Sequence, residues 1–194
     1  MITVKALILD LHGMLISSFP YKEYVENVKK IIKKEKISLE YDLLILAYKT
    51  ISYAMEIYNI RDKYLKMLDG LPIIEQEDEE LYNMLKNSGL KLYIATDTSR
   101  SNCIKTLEVA GLEIELFDGI VTGNDVRLPK PETELYEKII KDFNLNKEEI
   151  LVFGDRTTDI IPAEKLGLKA VLGNKEILKW WLYANAKVRR EDSN

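Results

Sequence analysis

The feature that most constrains the fold is a repeated change of hydrophobic period along the chain. Short aliphatic runs, ITVKALIL at 2–9, LKLYIA at 90–95, ILVFG at 150–154 and LKAVLG at 168–173, alternate with stretches whose apolar residues recur every three or four positions. Runs that are apolar without alternation are strands buried on both faces, and strands separated by helices pair in parallel. The predicted class is therefore α/β, a doubly wound, mainly parallel sheet covered by helices on both faces. Helices are expected at 79–87, 99–110, 131–143, 158–166 and 175–188, with a short strand at 117–121. Gly89, Gly111 and Gly167 stand where helices stop, and Pro131 is expected at a first helical position ahead of an acidic turn.

Residues 16–75 break the alternation because they are helical throughout. Tyr24, Val25, Val28, Ile31 and Ile32 mark a helix over 21–34. A second helix is predicted after Ser38, with Glu40 and Asp42 in its first turn, and a shorter one runs to Leu68. The breaker Asp69-Gly70-Leu71-Pro72 follows. The expected division is an α/β core at 1–15 and 76–194, with a helical insertion at 16–75 lying over the sheet's carboxyl edge.

Composition excludes several classes. A net charge of -4 gives no electrostatic reason to expect nucleic acid or an anionic membrane as partner. The lysine pairs Lys29-Lys30 and Lys33-Lys34 share a helix with Glu26 and Glu35, which is the pattern of a solvated face. Cys103 is the one cysteine, so no intrachain disulfide can form, and a reducing compartment fits. The opening MITVKALILD lacks the features of a secretory leader, and no stretch approaches the roughly 20 apolar residues of a membrane span. The expected location is the cytoplasm.

In open α/β sheets, ligands bind beyond the carboxyl ends of the strands. Asp10 follows the first strand, Thr96 and Asp97 follow LKLYIA, and Asp155 follows ILVFG, while Lys130 stands between Pro129 and Pro131. Carboxylates converging on one edge repel unless a cation separates them, and a hard, oxygen-ligated ion such as Mg²⁺ suits that site. An ionised carboxylate is itself a nucleophile. Thr96, with neighbouring amides, offers groups for phosphoryl oxygens, and Lys130 adds the charge neutralisation on which phosphoryl transfer relies.

The order Asp10-Leu11-His12-Gly13, then Ile94-Ala95-Thr96-Asp97, then Lys130-Pro131, then Gly154-Asp155-Arg156-Thr157-Thr158-Asp159, resembles the four motifs of the haloacid dehalogenase superfamily. The resemblance spans essentially the whole chain, and the insertion is similar to that superfamily's small helical cap. It implies Mg²⁺-dependent hydrolysis of a small phosphate monoester through an aspartyl-phosphate. It assigns Asp10 as nucleophile and metal ligand, with His12 adding its backbone carbonyl to the metal. Thr96 and Asp97 fall at the phosphate-binding motif, Lys130 pairs with Asp10 and the phosphate, Asp155 binds Mg²⁺, and Asp159 supports the metal directly or through water. A small phosphorylated metabolite is the implied partner.

One position departs from that pattern. Family phosphatases usually carry an aspartate two residues after the nucleophile, as acid for the leaving oxygen and base for water. Here that residue is His12, the chain's one histidine. Imidazole can do general acid–base work, and its unperturbed pKa of about 6.5 suits that role near neutrality. Met14 also replaces a residue that is usually small or β-branched. The alternatives are a haloacid dehalogenase, a phosphonate hydrolase and a weakly active or inactive binding protein. A dehalogenase needs no metal, which leaves Asp155 and Asp159 without a task. Phosphonate cleavage needs a lysine in the cap, and nothing in the sequence marks Lys22, Lys29 or Lys49 as desolvated. Tyr41, Tyr48, Tyr53 and Tyr58 read mainly as packing residues of the insertion. Of the adjacent Trp180 and Trp181, one is expected in the core. Arg100 and Arg156 follow two motif loops, where a substrate contact is open to them, and read mainly as exposed ion-pair partners.

Overall fold

The computed structural model describes residues 3–16, 19–37, 59–73 and 77–191. Five aliphatic runs form one parallel sheet: β1 (Ala6–Leu9), β2 (Lys91–Ala95), β3 (Gly119–Val121), β4 (Ile150–Gly154) and β5 (Lys169–Leu172). The strand order is β3-β2-β1-β4-β5, and every adjacent pair is parallel. β1 is shorter than the run at 2–9 suggests. Lys5 lies outside the strand, although its N–H still bonds the Glu149 carbonyl at 2.9 Å.

Helices α1 (Tyr21–Lys34) and α2 (Arg61–Leu68) follow β1. The rest are α3 (Glu79–Lys86), α4 (Arg100–Val109), α5 (Glu134–Asp142), α6 (Thr157–Lys165) and α7 (Lys175–Glu191). Successive strand residues point to opposite faces, and β1 shows the consequence. Leu7 and Leu9 join Leu81, Leu85, Leu107 and Leu178 of α3, α4 and α7, whereas Ala6 and Ile8 join Leu135, Ile139 and Ala163 of α5 and α6. Both faces are thus filled, as a doubly wound sheet requires. Met14 and Phe153 are fully buried in the first of these layers, where Trp181 stands edge-on to Phe153 at 5.6 Å. Trp180, by contrast, is 66% exposed.

Pro131 does not begin a helix. Residues 130–133 form a turn in which the Glu132 N–H bonds the Pro129 carbonyl at 3.0 Å, and α5 starts at Glu134. The Glu134 carboxylate accepts from the amides of Arg127 and Leu128 at 2.8 and 3.0 Å, tying the helix start to the loop before Lys130. No helix among the described residues is long and apolar enough to cross a membrane.

The helices between β1 and α3 have a cluster of their own, with Val28 of α1 against Tyr64, Leu65 and Leu68 of α2. Val25, expected on the apolar stripe of α1, is exposed instead. The helix expected after Ser38 lies outside the described residues, together with Lys49 and the tyrosines at 41, 48, 53 and 58. α2 is fastened to the sheet domain by polar contacts at both ends. The buried Arg61 guanidinium donates to the carbonyls of Gly123, Val126 and Arg127, the last at 2.8 Å. At the far end, Asn102 of α4 donates to the Leu68 carbonyl at 3.0 Å, and the Ser99 hydroxyl bonds the Asp69 carboxylate. A leucine in place of Arg61 would fit the space yet strand three carbonyls. Arg61→Leu is expected to cost about 3 kcal/mol, read as a lowered urea midpoint.

Candidate active site

The chain winds outward from β1 to β2 and β3 on one side and to β4 and β5 on the other. The loops leaving β1 and β4 therefore diverge and leave a crevice at their carboxyl ends. Asp10 opens the first loop, its N–H bonding the Phe153 carbonyl of β4 at 3.0 Å. The loop then turns tightly, with Gly13 N–H on the Ile16 carbonyl at 2.6 Å and Ile16 N–H on the Leu11 carbonyl at 2.9 Å. Gly13 has φ +92, and a Cβ there would sit 2.3 Å from Asp155 Cγ. Glycine is required twice over, for the left-handed backbone and for the approach of the β4 aspartate. Gly154 plays the second part on the other side, since a Cβ there would fall 2.2 Å from that of Asp159.

These turns bring the predicted residues together. Lys130 Nζ lies 2.6 Å from Asp10 Oδ1, contacts Asp159 Oδ1 more closely still, and donates to the Ala95 carbonyl at 3.2 Å. Asp159 Oδ2 accepts from the Arg156 amide at 3.0 Å. Asp97 Oδ1 accepts from the Lys130 amide at 3.0 Å. Carboxylate oxygens of Asp10, Asp155 and Asp159 lie within 4.8 Å of one another.

The electrostatics follow from that crowding. Four carboxylates (Asp10, Asp97, Asp155 and Asp159) face the one buried ammonium of Lys130, leaving a formal charge of about −3 there, with Arg156 Nε 3.8 Å from Asp155. Burial raises the pKa of Asp10, Asp155 and Asp159, in Asp10 against the pull of Lys130. Burial also lifts Asp97, to about 6. On Lys130, burial acts to lower the pKa, but Asp10 and Asp159 carry it well above its ordinary value. Each acid thus resists ionisation where its neighbours are acids, and the group that would relieve all of them is a cation of high charge density with oxygen ligands. The donor set of Asp10, Asp155 and Asp159 fits a divalent ion such as Mg²⁺.

A cavity of about 290 Å³ opens over this cluster, with Asp10, His12, Thr96, Asp97 and Lys130 among its lining residues. Thr96 is buried on its floor, its hydroxyl accepting from the Thr98 amide at 3.3 Å. The Asp97 carboxylate is turned onto the Lys130 amide, so what it offers an anion is its own backbone amide. The His12 ring meets Phe19 edge-on, with centroids 4.8 Å apart. Arg100 pairs with Asp125 at 2.7 Å, as an exposed ion pair should. Arg156 is likewise exposed and pairs with Asp155, and it also lines the cavity and donates to the Tyr21 hydroxyl at 3.1 Å. Sequence reasoning missed Phe19, Tyr21, Tyr24 and Tyr64, which line the opposite wall. For the first three the one signal is the aromatic density of 19–24, directly after the loop that carries Asp10.

The displaced carboxyl of Asp97 gives a pH test. A pKa raised from 3.8 to about 6 means the folded protein favours the neutral acid. Asp97 therefore contributes stability at low pH that is lost as pH rises through about 6. Asparagine keeps the acceptor for the Lys130 amide and removes this titration. Between pH 4 and pH 6.5, in EDTA, the native chain should lose on the order of 2 kcal/mol more than Asp97→Asn, read from urea midpoints.

Comparison with known proteins agrees with this geometry. The model of the haloacid dehalogenase-like hydrolase family matches residues 15–172. The pyrophosphatase PpaX of Halalkalibacterium halodurans is 38% identical over 95 residues, 48% of this chain and 44% of that one. The phosphorylated carbohydrates phosphatase of Thermotoga maritima is 24% identical over 160 residues, 82% of this chain and 61% of that one. The chain thus spans about half the length of these relatives. In fold it is similar to CbbY from Rhodobacter sphaeroides in complex with phosphate, with TM-score 0.63 and 16% identity over 88% of this chain and 86% of that one. With the matched segment covering most of its length and the four motifs meeting at one sheet edge, the chain belongs to the haloacid dehalogenase-like hydrolase family.

Proposed function

We propose that the chain is a Mg²⁺-dependent phosphatase that hydrolyses a small phosphate monoester through an aspartyl-phosphate on Asp10. The observation that carries this reading is the placement of Asp10. Its carboxylate is held by Lys130 at 2.6 Å, within 4.8 Å of Asp155 and Asp159, at the crevice between β1 and β4. Membership of a hydrolase family supports it, as do relatives named for cleaving phosphorylated compounds.

Asp10, Asp155 and the backbone carbonyl of His12 would hold Mg²⁺, which supplies positive charge against the phosphoryl oxygens. Asp159, engaged by Lys130 and the Arg156 amide, fixes that lysine and completes the acidic set. Thr96 and the amides after it bind the phosphoryl group, and Lys130 neutralises charge on it and on Asp10. A carboxylate oxygen of Asp10 attacks phosphorus, and the bond from phosphorus to the leaving oxygen breaks. Protonated His12 gives its proton to that oxygen. The neutral ring then takes a proton from water as it attacks the aspartyl-phosphate, releasing inorganic phosphate and restoring Asp10. Residues 16–75 act as the cap, excluding water and bulky substrates, so a small metabolite is favoured over a phosphoprotein. A cytoplasmic setting suits the buried thiol of Cys103.

Phosphate release from an aryl phosphate tests the reading. Asp10→Asn is expected to lose at least about a thousandfold in kcat, because the amide is no nucleophile. EDTA should stop turnover and added Mg²⁺ restore it. His12→Asp should displace the pH profile of kcat/KM if the imidazole is the acid–base. Activity confined to His12→Asp would show that the histidine silences the site, and silence of both chains would overturn the reading.

A further inference from the structure

The wall facing the acidic cluster is built from rings. Phe19 is packed edge-on to Tyr21 at 4.9 Å and to Tyr24 at 5.2 Å, and Tyr24 stands edge-on to Tyr64 at 6.5 Å. The polar ends of the three tyrosines are partly engaged. The Tyr24 and Tyr64 hydroxyls bond each other at 3.0 Å, and the Tyr21 hydroxyl accepts from Arg156 at 3.1 Å. Tyr64 is buried and Tyr24 half-buried, while Tyr21 stands exposed at the rim. Leu68 closes the wall.

A leaving group seated opposite Asp10 meets this surface. A polyol would give up many hydrogen bonds to water and find in return at most the two phenolic O–H donors that these contacts leave over, which is costly. A second phosphate could reach Arg156 at the Tyr21 end of the wall, but along Phe19, Tyr24 and Leu68 it would be held against carbon and lose its hydration. A planar ring would bury apolar area and meet the aromatic side chains in offset or edge-on contact. We infer that the organic part of the substrate is a planar ring, bound between the phosphoryl site and the wall of Phe19, Tyr21, Tyr24 and Tyr64. This rests on the phosphatase reading for the phosphoryl end. It differs from what a pyrophosphatase or a carbohydrate phosphatase would take.

Aryl phosphates are intrinsically reactive, so the test uses alcohols of similar leaving ability and analogues that cannot turn over. Calorimetric titration with Mg²⁺ present compares benzylphosphonate, cyclohexylmethylphosphonate and methylphosphonate. Benzylphosphonate is expected to bind at least about tenfold more tightly than methylphosphonate and severalfold more tightly than the saturated ring. Both gaps should shrink in Phe19→Leu and in Tyr24→Leu, two separate changes that keep bulk and remove a ring. Benzyl phosphate should likewise exceed glycerol phosphate and pyrophosphate in kcat/KM by at least about tenfold. Equal binding of benzyl and methyl ligands, or of benzyl and cyclohexylmethyl ligands, overturns the inference even if phosphate esters are hydrolysed. Selective benzylphosphonate binding without hydrolysis of benzyl phosphate would sink the phosphatase reading and leave the ring site standing.

Discussion

The ammonium of Lys130 lies between Asp10 and Asp159, with Asp97 bonded to its own backbone amide and Asp155 close behind. Taking one cation and four carboxylates largely out of water is unfavourable, and one lysine cannot balance the set. That imbalance organises the carboxyl edge of the sheet. It raises the cost of ionising each acid, and it makes a divalent cation the natural complement. The rest of the structure can be followed outward from Lys130. Its loop is fixed by Asp97 from β2, by Glu134 at the start of α5, and by Arg61 reaching across from α2 to the carbonyls of Gly123, Val126 and Arg127. A helix from the insertion thereby helps to place the lysine that faces the proposed nucleophile.

Strand topology explains why these groups meet here. With β1 central and the later strands added on both sides, residues far apart in sequence arrive at one crevice. Asp10, Thr96 and Asp155 each sit one residue beyond a strand end, so their approach is set by the ladders. The last ångström comes from Gly13 and Gly154, where a side chain of any size would drive Asp155 or Asp159 away. The insertion contributes the opposite wall. A reaction proceeding there would work between a polar floor made by the sheet and an aromatic surface made by Phe19, Tyr21, Tyr24 and Tyr64.

Much of this was legible in the sequence because it depends on period and on position relative to strands. The strand ILVFG and the helix over 21–34 appear where their spacing puts them, Asp10, Thr96 and Asp155 converge as strand-end logic requires, and Lys130 and Asp159 join them as the family resemblance implies. What escaped was set by side-chain direction and by competition between local rules. Proline is a good first helical residue, yet Pro131 lies in a turn because the loop must return Lys130 to the site and Glu134 is committed to the amides before it. Sequence reasoning passes over Arg61, although it falls on the same helical stripe as Tyr64, Leu65 and Leu68, the one hint that it is buried. Arg156 follows a motif residue and is solvated as it looks, but its contact with Tyr21 depends on the turn into α6, which the sequence does not show. The aromatic wall was hidden because Tyr24 fits an apolar helix face equally well as core or as lining.

The central claim is that the crowded carboxylates form a divalent-cation site, and it can be tested without turnover. The urea midpoint would be measured for the native chain and for Asp155→Asn, each with EDTA and with Mg²⁺ in excess. A ligand that binds the folded state alone stabilises it by about 2.7 kcal/mol at a hundredfold excess over Kd. The account predicts a gain of that order for the native chain and little or none for the variant. An unchanged native midpoint, or the same rise in both chains, would contradict it.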